Sequence, residues 1–255
     1  MTVYFIGAGP GAYDLITVRG LNLIKRCPVC LYAGSLLSEE LIAEIPHQAR
    51  RVNTGHLDLD AIVEEFVKAE KEGKDVARLH SGDPSIYSAI AEQMAALDKL
   101  AINYEVVPGV ASYAAAAAAM KQELTLPKLN QTVILTRTSV NSSPMPELET
   151  LSNLGQAKAT MAIHLSAKNI AAIQKELLPI YGADCPVIVG YHVSWTDEKI
   201  ISGTLADIHE KIAQEKIEKT AIIFVGKALR PEKLSRSSLY AFPHGPLGKT
   251  SAPSR

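Results

Sequence analysis

The chain has 255 residues, 47% hydrophobic and 21% charged, with a formal net charge of -1. That suits a globular protein of one large or two ordinary α/β domains, and the balanced charge excludes a dedicated nucleic-acid binder, which carries a basic excess. No apolar run approaches the roughly 18 residues of a membrane span, and Met1 leads straight into a strand pattern rather than a signal peptide. A cytoplasmic protein with neither a membrane nor a nucleic-acid partner is expected.

Val3-Tyr4-Phe5-Ile6 predicts a buried strand, followed by Gly7-Ala8-Gly9-Pro10-Gly11-Ala12. This run formally satisfies G-x-G-x-x-G/A, so an NAD or flavin oxidoreductase has to be considered. A pyrophosphate turn needs its helix to begin inside the motif. Here Pro10-Gly11 resists helix, and the better start signals are Asp14 or Thr17. The next strand, 29–32, ends in Ala33-Gly34-Ser35 with no acid placed to hold a ribose. The glycines are therefore expected to form an open loop. Cys27-Pro28-Val29-Cys30 is a C-x-x-C lying between a helix end and a strand, which suits buried cysteines better than a redox pair. The seven histidines show no ligand spacing around the thiols, and no metal site is expected.

Residues 37–45 read as a short helix, the Arg50-Arg51 region as irregular, and 59–72 as an amphipathic helix that Gly73 ends. Ile62, Phe66 and Ala69 line the apolar face of that helix, and His56 sits in the polar loop before it. The apolar strand 76–79 then runs into Ser81-Gly82-Asp83-Pro84. Asp before Pro predicts an N-cap and a helix from Ser85, carrying Ile86, Ile90, Met94 and Leu97. Strand 104–107 ends in Pro108-Gly109-Val110-Ala111-Ser112, and the alanine run 114–119 reads as a close-packed helix. Three strand ends thus carry glycine with proline. Gathered on one sheet edge, they would form the kind of pocket in which open α/β sheets bind ligands.

The pattern breaks at 121–130, dividing an N-terminal α/β domain (1–120) from a C-terminal α/β domain (131–230) and a partly disordered tail (231–255). The second domain predicts strands at 132–135, 161–165, 187–191 and 222–225, helices at 167–178 and 205–213, and an additional antiparallel strand at 199–202. The polar loop 139–146 is long enough to border a site. Gly248-Lys249-Thr250 ends like a phosphate-binding loop, but Pro243 stands where its first glycine belongs, so ATP binding is not expected.

Taken together, Gly7-Ala8-Gly9-Pro10-Gly11, Ser81-Gly82-Asp83-Pro84 and Pro108-Gly109-Val110 resemble the tetrapyrrole methylases, the class III S-adenosylmethionine-dependent methyltransferases. The likeness runs from residue 1 to about 230. Within the family, Leu31-Tyr32-Ala33-Gly34-Ser35-Leu36, the run from Leu129 to Arg137 and Ser194-Trp195-Thr196-Asp197-Glu198-Lys199 resemble members that methylate a ring carbon of a cobalamin precursor. Ala12 departs from the Asp usual in the family's first loop, and Thr196 from a Pro. The resemblance implies two α/β domains with a cofactor cleft between them, a homodimer, a tetrapyrrole substrate and S-adenosyl-L-methionine as methyl donor. It implies donor contacts at Pro10, Ser81, Gly82, Asp83, Ile86, Ala111, Ser112, Leu165, Tyr191, His192, Thr220 and Ala221. Because such substrates carry many carboxylates, a basic rim is expected, with Arg137 as first candidate and Arg19 and Arg78 behind it. No general base stands out; His80, nearest the central motif, reads as a core histidine.

Overall fold

The computed structural model describes residues 1–139 and 144–231. Part of the 139–146 loop and the tail from 232 onward, including Pro243 and Gly248-Lys249-Thr250, lie outside the described residues. The chain divides into two compact units: Met1–Ala119 with His192–Lys199, and Met120–Tyr191 with Ile200 onward.

The first unit alternates β1 (Thr2–Gly7), α1 (Val18–Arg26), β2 (Val29–Tyr32), α2 (Glu39–Ala43), β3 (Arg50–Asn53), α3 (Leu59–Lys71), β4 (Val76–His80), α4 (Ile90–Lys99), β5 (Asn103–Val107) and α5 (Ser112–Ala119). Its sheet has the order β3-β2-β4-β1-β5, with all neighbouring strands parallel. β1 and β4 are covered on both faces; β1 reads as a continuous apolar run, whereas β4 buries Arg78 and His80 as well. Ile6, Leu79 and Cys30 face Leu23, Ile24 and Leu41, while Phe5, Leu31 and Val76 face Phe66 and Leu97. Because all five strands run the same way and β1 lies between β4 and β5, the three glycine-bearing strand ends emerge side by side.

The helix after the first loop starts at Val18, where the Thr17 hydroxyl accepts from the Gly20 N–H at 3.1 Å. It therefore begins seven residues beyond Gly11, too late for a pyrophosphate turn. Cys27 and Cys30 are buried and free, and burial pushes both thiols up to about 12, which leaves them unreactive. Two local expectations need correction. The Arg50-Arg51 region is not irregular but forms the edge strand β3. The helix expected from Ser85 starts only at Ile90, and its N-cap, Ala89, is left-handed (φ 50°) with no side-chain cap.

The second unit contains β6 (Val133–Arg137), α6 (Leu151–Gly155), β7 (Thr160–His164), α7 (Ile170–Tyr181), β8 (Pro186–Tyr191), β9 (Lys199–Thr204), α8 (Ile208–Gln214) and β10 (Ala221–Val225). The strand order is β6-β7-β10-β8-β9. β6 and β7 run parallel, whereas β10 is antiparallel to both of its neighbours. Met161, Ile163, Ile173, Leu177, Val187, Val189 and Ile223 form its core. No helix among the described residues is long and apolar enough to cross a membrane.

Candidate active site

In the first unit the first two glycine turns are bonded to each other through their backbones. Ala8 N–H donates to His80 O at 2.8 Å, Gly9 N–H to Gly82 O at 3.2 Å, and Gly82 N–H to Gly9 O at 2.7 Å. Gly7 and Gly109 leave no room for side chains. A Cβ on Gly7 would come within 2.5 Å of the Gly109 backbone, and one on Gly109 within 2.7 Å of Gly7 Cα. Gly82 differs. It is left-handed (φ 70°), and the nearest atom to a Cβ there is Ser112 N at 3.8 Å, followed by Ala111 Cα at 3.9 Å. Gly82, Ala111 and Ser112, all expected donor contacts, are therefore direct neighbours at ordinary van der Waals distance, with room at Gly82 for one methyl, and two glycines hold the backbones close enough to bring them together.

Asp83 ties this edge together rather than capping a helix. Its Oδ2 accepts from Gly109 N–H at 2.8 Å, and its Oδ1 accepts from Ser85 N–H at 2.8 Å and from the Ser85 hydroxyl. The carboxylate is thus committed to an Asx-turn and to the end of β5, so residues 84–88 form a turn before α4 begins. Burial opposes ionisation of Asp83. The hydrogen bonds from the Ser85 hydroxyl, Gly109 N–H and Ser85 N–H outweigh it and hold the carboxyl below its ordinary range. Ser81 is exposed, Ile86 is half-buried, and Tyr87 in this turn is left-handed (φ 54°).

The first loop is covered by the segment His192–Lys199, which separates β8 from β9 in the chain but belongs to the first unit. Trp195 Nε1–H donates to Pro10 O at 3.0 Å, and Ala12 N–H donates to Ser194 Oγ at 3.0 Å. A Cβ on Gly11 would meet the indole, with Cε2 at 2.8 Å. Gly11 is a glycine because a tryptophan lies on it. Nothing local in the sequence signals this contact, since its partners are 184 positions apart. Pro10 is buried, and its carbonyl is the atom that Trp195 engages.

In the second unit Leu165, Thr220 and Ala221 meet at one cavity of about 430 Å³, together with Ser166, Asn169 and Lys219. Leu165 is 68% exposed, and both it and Thr220 are left-handed (φ 53° each). A large apolar side chain held exposed on a strained backbone requires a cause. The cause visible here is Ser166. Its hydroxyl donates to His164 O at 2.6 Å and accepts from Thr138 N–H at 2.8 Å, which fixes the backbone on either side of Leu165. Tyr191 ends β8 opposite Ala221.

The basic candidates separate. Arg137 ends β6, donates to Thr138 O at 3.1 Å and Pro144 O at 3.4 Å, and lines a cavity of about 420 Å³ with Met145 and Pro146. Arg19 is exposed on α1. Arg78 does not suit a rim: it is 7% exposed, with Nη1 donating to Thr54 Oγ1 at 2.9 Å and Nε to Gln93 Oε1 at 3.2 Å. Residues alternate sides along a strand, so Arg78 points with Val76 and His80 toward α3 and α4. Burial, followed by the nearby Arg78 charge, pushes His80 down to about 3, a neutral core histidine. No group of three or more metal-capable side chains occurs among the described residues.

This fold and site define a class, and the family model for tetrapyrrole (corrin/porphyrin) methylases matches residues 2–209. The chain belongs to that family. It is 56% identical over 240 residues to a precorrin-4 C(11)-methyltransferase from a Sinorhizobium species, covering 94% of this chain and 95% of that one. Among solved structures, a cobalt-precorrin-4 methyltransferase superposes with a TM-score of 0.87 at 44% identity, over 90% of this chain and 96% of that one. A uroporphyrin-III C-methyltransferase from Thermus thermophilus, complexed with S-adenosyl homocysteine, gives 0.73 at 26% identity, covering 90% and 94%.

Proposed function

We propose that this protein transfers a methyl group from S-adenosylmethionine to C11 of precorrin-4, giving precorrin-5 in cobalamin biosynthesis. The observation that carries the reading is the gathering of Gly82, Ala111 and Ser112 at one strand-end edge, held together by glycines at 7 and 109 too closely packed to accept side chains. The 56% identity over nearly the whole chain supports the choice of reaction. The residues fit a donor with a polar amino-acid end and an aromatic base. Backbone groups beside Gly82 and Ala111 can meet the polar groups, and exposed Leu165 offers apolar surface beside the Thr220–Ala221 backbone. Pro10, Ser81, Asp83, Ile86 and Tyr191 complete the proposed donor contacts, and His192 adjoins the donor through its backbone alone, leaving its ring for another task. Bound there, the sulfonium supplies an already activated methyl, so the protein's task is orientation and exclusion of water. Arg137, with Arg19, meets substrate carboxylates.

The protein is further proposed to act as a homodimer in the cytoplasm. A second reading, methylation of the cobalt-containing substrate at the same carbon, is favoured by the likeness to the cobalt-precorrin-4 enzyme. A nicotinamide or flavin oxidoreductase is disfavoured by the late start of α1.

Calorimetry is expected to show micromolar-range binding of S-adenosylmethionine and its demethylated product, and none of NAD or FAD. Binding of the dinucleotides alone would overturn the reading. Leu165→Gly gives a sharper test. Glycine relieves left-handed strain worth about 1–2 kcal/mol and adds about 0.5–1 kcal/mol of chain entropy, so stability stays within about 1 kcal/mol. Losing an exposed leucine that a ligand would cover should weaken donor binding on the order of tenfold. Unchanged affinity in Leu165→Gly would remove the cavity from the donor site.

A further inference from the structure

We infer that His192, held by Asp197, is the base that accepts the proton released by methyl transfer. This rests on the function proposed above and assigns the one chemical task that reading leaves without a residue. The ring carbon attacks with the π electron pair of a ring enamine, which forms the new C–CH3 bond. The S–CH3 bond breaks with its pair remaining on sulfur, and the conjugated ring nitrogen becomes an imine by giving up its N–H proton. The products balance only if a group takes that proton.

The loop His192–Lys199 is built to present one imidazole. His192 Nδ1 lies 2.9 Å from both Asp197 Oδ1 and Oδ2. A carboxylate at Nδ1 keeps the hydrogen on that nitrogen and makes Nε2 the one that takes up a proton. The backbone around the ring is strained twice, at His192 (φ 43°) and Ser194 (φ 69°). Further bonds fix the loop: Trp195 N–H donates to His192 O at 2.9 Å and Ser194 N–H to Glu198 Oε2 at 2.7 Å. The imidazole lies against the Trp195 ring, with centroids 5.8 Å apart, and that indole covers Pro10 and Gly11 of the glycine edge. The charged residues on the two packed segments are Asp14 on the first loop and Asp197, Glu198 and Lys199 beside the histidine. Among the titratable groups of the glycine edge, Asp83 is tied up by three donors and His80 is buried. In these terms His192 is catalytic and Asp197 a positioning residue.

The test uses the full chain with S-adenosylmethionine and precorrin-4, comparing pH profiles of the unaltered protein, His192→Gln and Asp197→Asn. Calorimetry reports donor affinity. Trp195, the sole tryptophan, reports by fluorescence that the loop is still in place. Protonated His192 cannot accept a proton, so the unaltered protein should lose kcat toward acid pH. His192→Gln should lower kcat about 100-fold or more, abolish that acid limb and leave donor affinity within twofold. Asp197→Asn removes the carboxylate that orients the ring, so it should lower kcat while leaving donor affinity and the Trp195 signal unchanged. An active unaltered chain whose His192→Gln variant keeps both its rate and its acid limb would overturn this inference alone. So would a rate loss matched by an equal loss of donor affinity. Absence of methyl transfer by the unaltered chain would overturn the functional reading and this inference with it.

Discussion

Gly109→Ala is expected to be the most damaging single-methyl substitution in the protein. Its Cβ would enter a space bounded by Gly7 Cα at 2.7 Å, Gly7 C at 2.8 Å and the Gly82 carbonyl. All three are backbone atoms at the ends of paired parallel strands, so no side chain can swing away. Overpacking usually costs about 1–3 kcal/mol, and a clash with rigid backbone lies at or beyond the upper end. At about 2–4 °C per kcal/mol for units of this size, Tm should fall by roughly 10 °C. Donor binding should be lost with it, because separating Gly7 from Gly109 opens the edge at Gly82. Gly82→Ala is the paired control. Its Cβ meets nothing closer than 3.8 Å, so only left-handed strain of about 1–2 kcal/mol opposes it. It should melt only a few degrees early yet bind the donor poorly, since the methyl enters the ground assigned to ligand. Equal melting of the two variants would contradict the packing described for this edge.

The second large effect is expected at Asp83. Asp83→Ala strands the Gly109 and Ser85 N–H groups together, a loss of about 1–3 kcal/mol. Because the Asp83 turn also sets residues 84–88 and the end of β5, activity should fall much further than stability, by 100-fold or more if positioning of the methyl is disturbed. The group also predicts a pH dependence. A carboxyl held below its ordinary value is protonated first in the unfolded chain. Its stabilisation is therefore complete above about pH 4 and is lost as pH falls through the native value. Acid unfolding curves should show a smaller acid-dependent loss for Asp83→Asn than for the parent. Identical acid dependence in the two proteins would show that the carboxylate contributes nothing through its charge.

Most strands were legible because buried parallel strands are continuous apolar runs, as in Val3-Tyr4-Phe5-Ile6 and β2. β3 was not, since Arg-Arg-Val-Asn at a sheet edge is half exposed and carries no apolar run. The glycine turns were legible as a set for a simple reason: only glycine tolerates the backbone contact at Gly7 and Gly109, and glycine takes φ 70° at Gly82 without strain. Asp83-Pro84 misled because an N-cap and an Asx-turn use the same local sequence. The choice between them is made by Gly109, 26 residues away. Arg78 was misplaced although the signal was present: alternation along β4 puts it between Val76 and His80 on a covered face. The Trp195 cover on Gly11 was beyond reach, because no periodicity or spacing links residues so distant in the chain. His192 came only through resemblance, and its pairing with Asp197 became visible in the folded loop.

The most direct test of the central claim is to map the transferred methyl. The full chain is incubated with precorrin-4 and S-adenosylmethionine carrying a 13C-labelled methyl, in parallel with the cobalt-containing substrate, and the product is read by NMR. The account predicts one labelled methyl at C11, formed in step with the demethylated donor and faster on the metal-free substrate. Label at another ring carbon, or no transfer to either substrate by a protein that binds the donor, would contradict it.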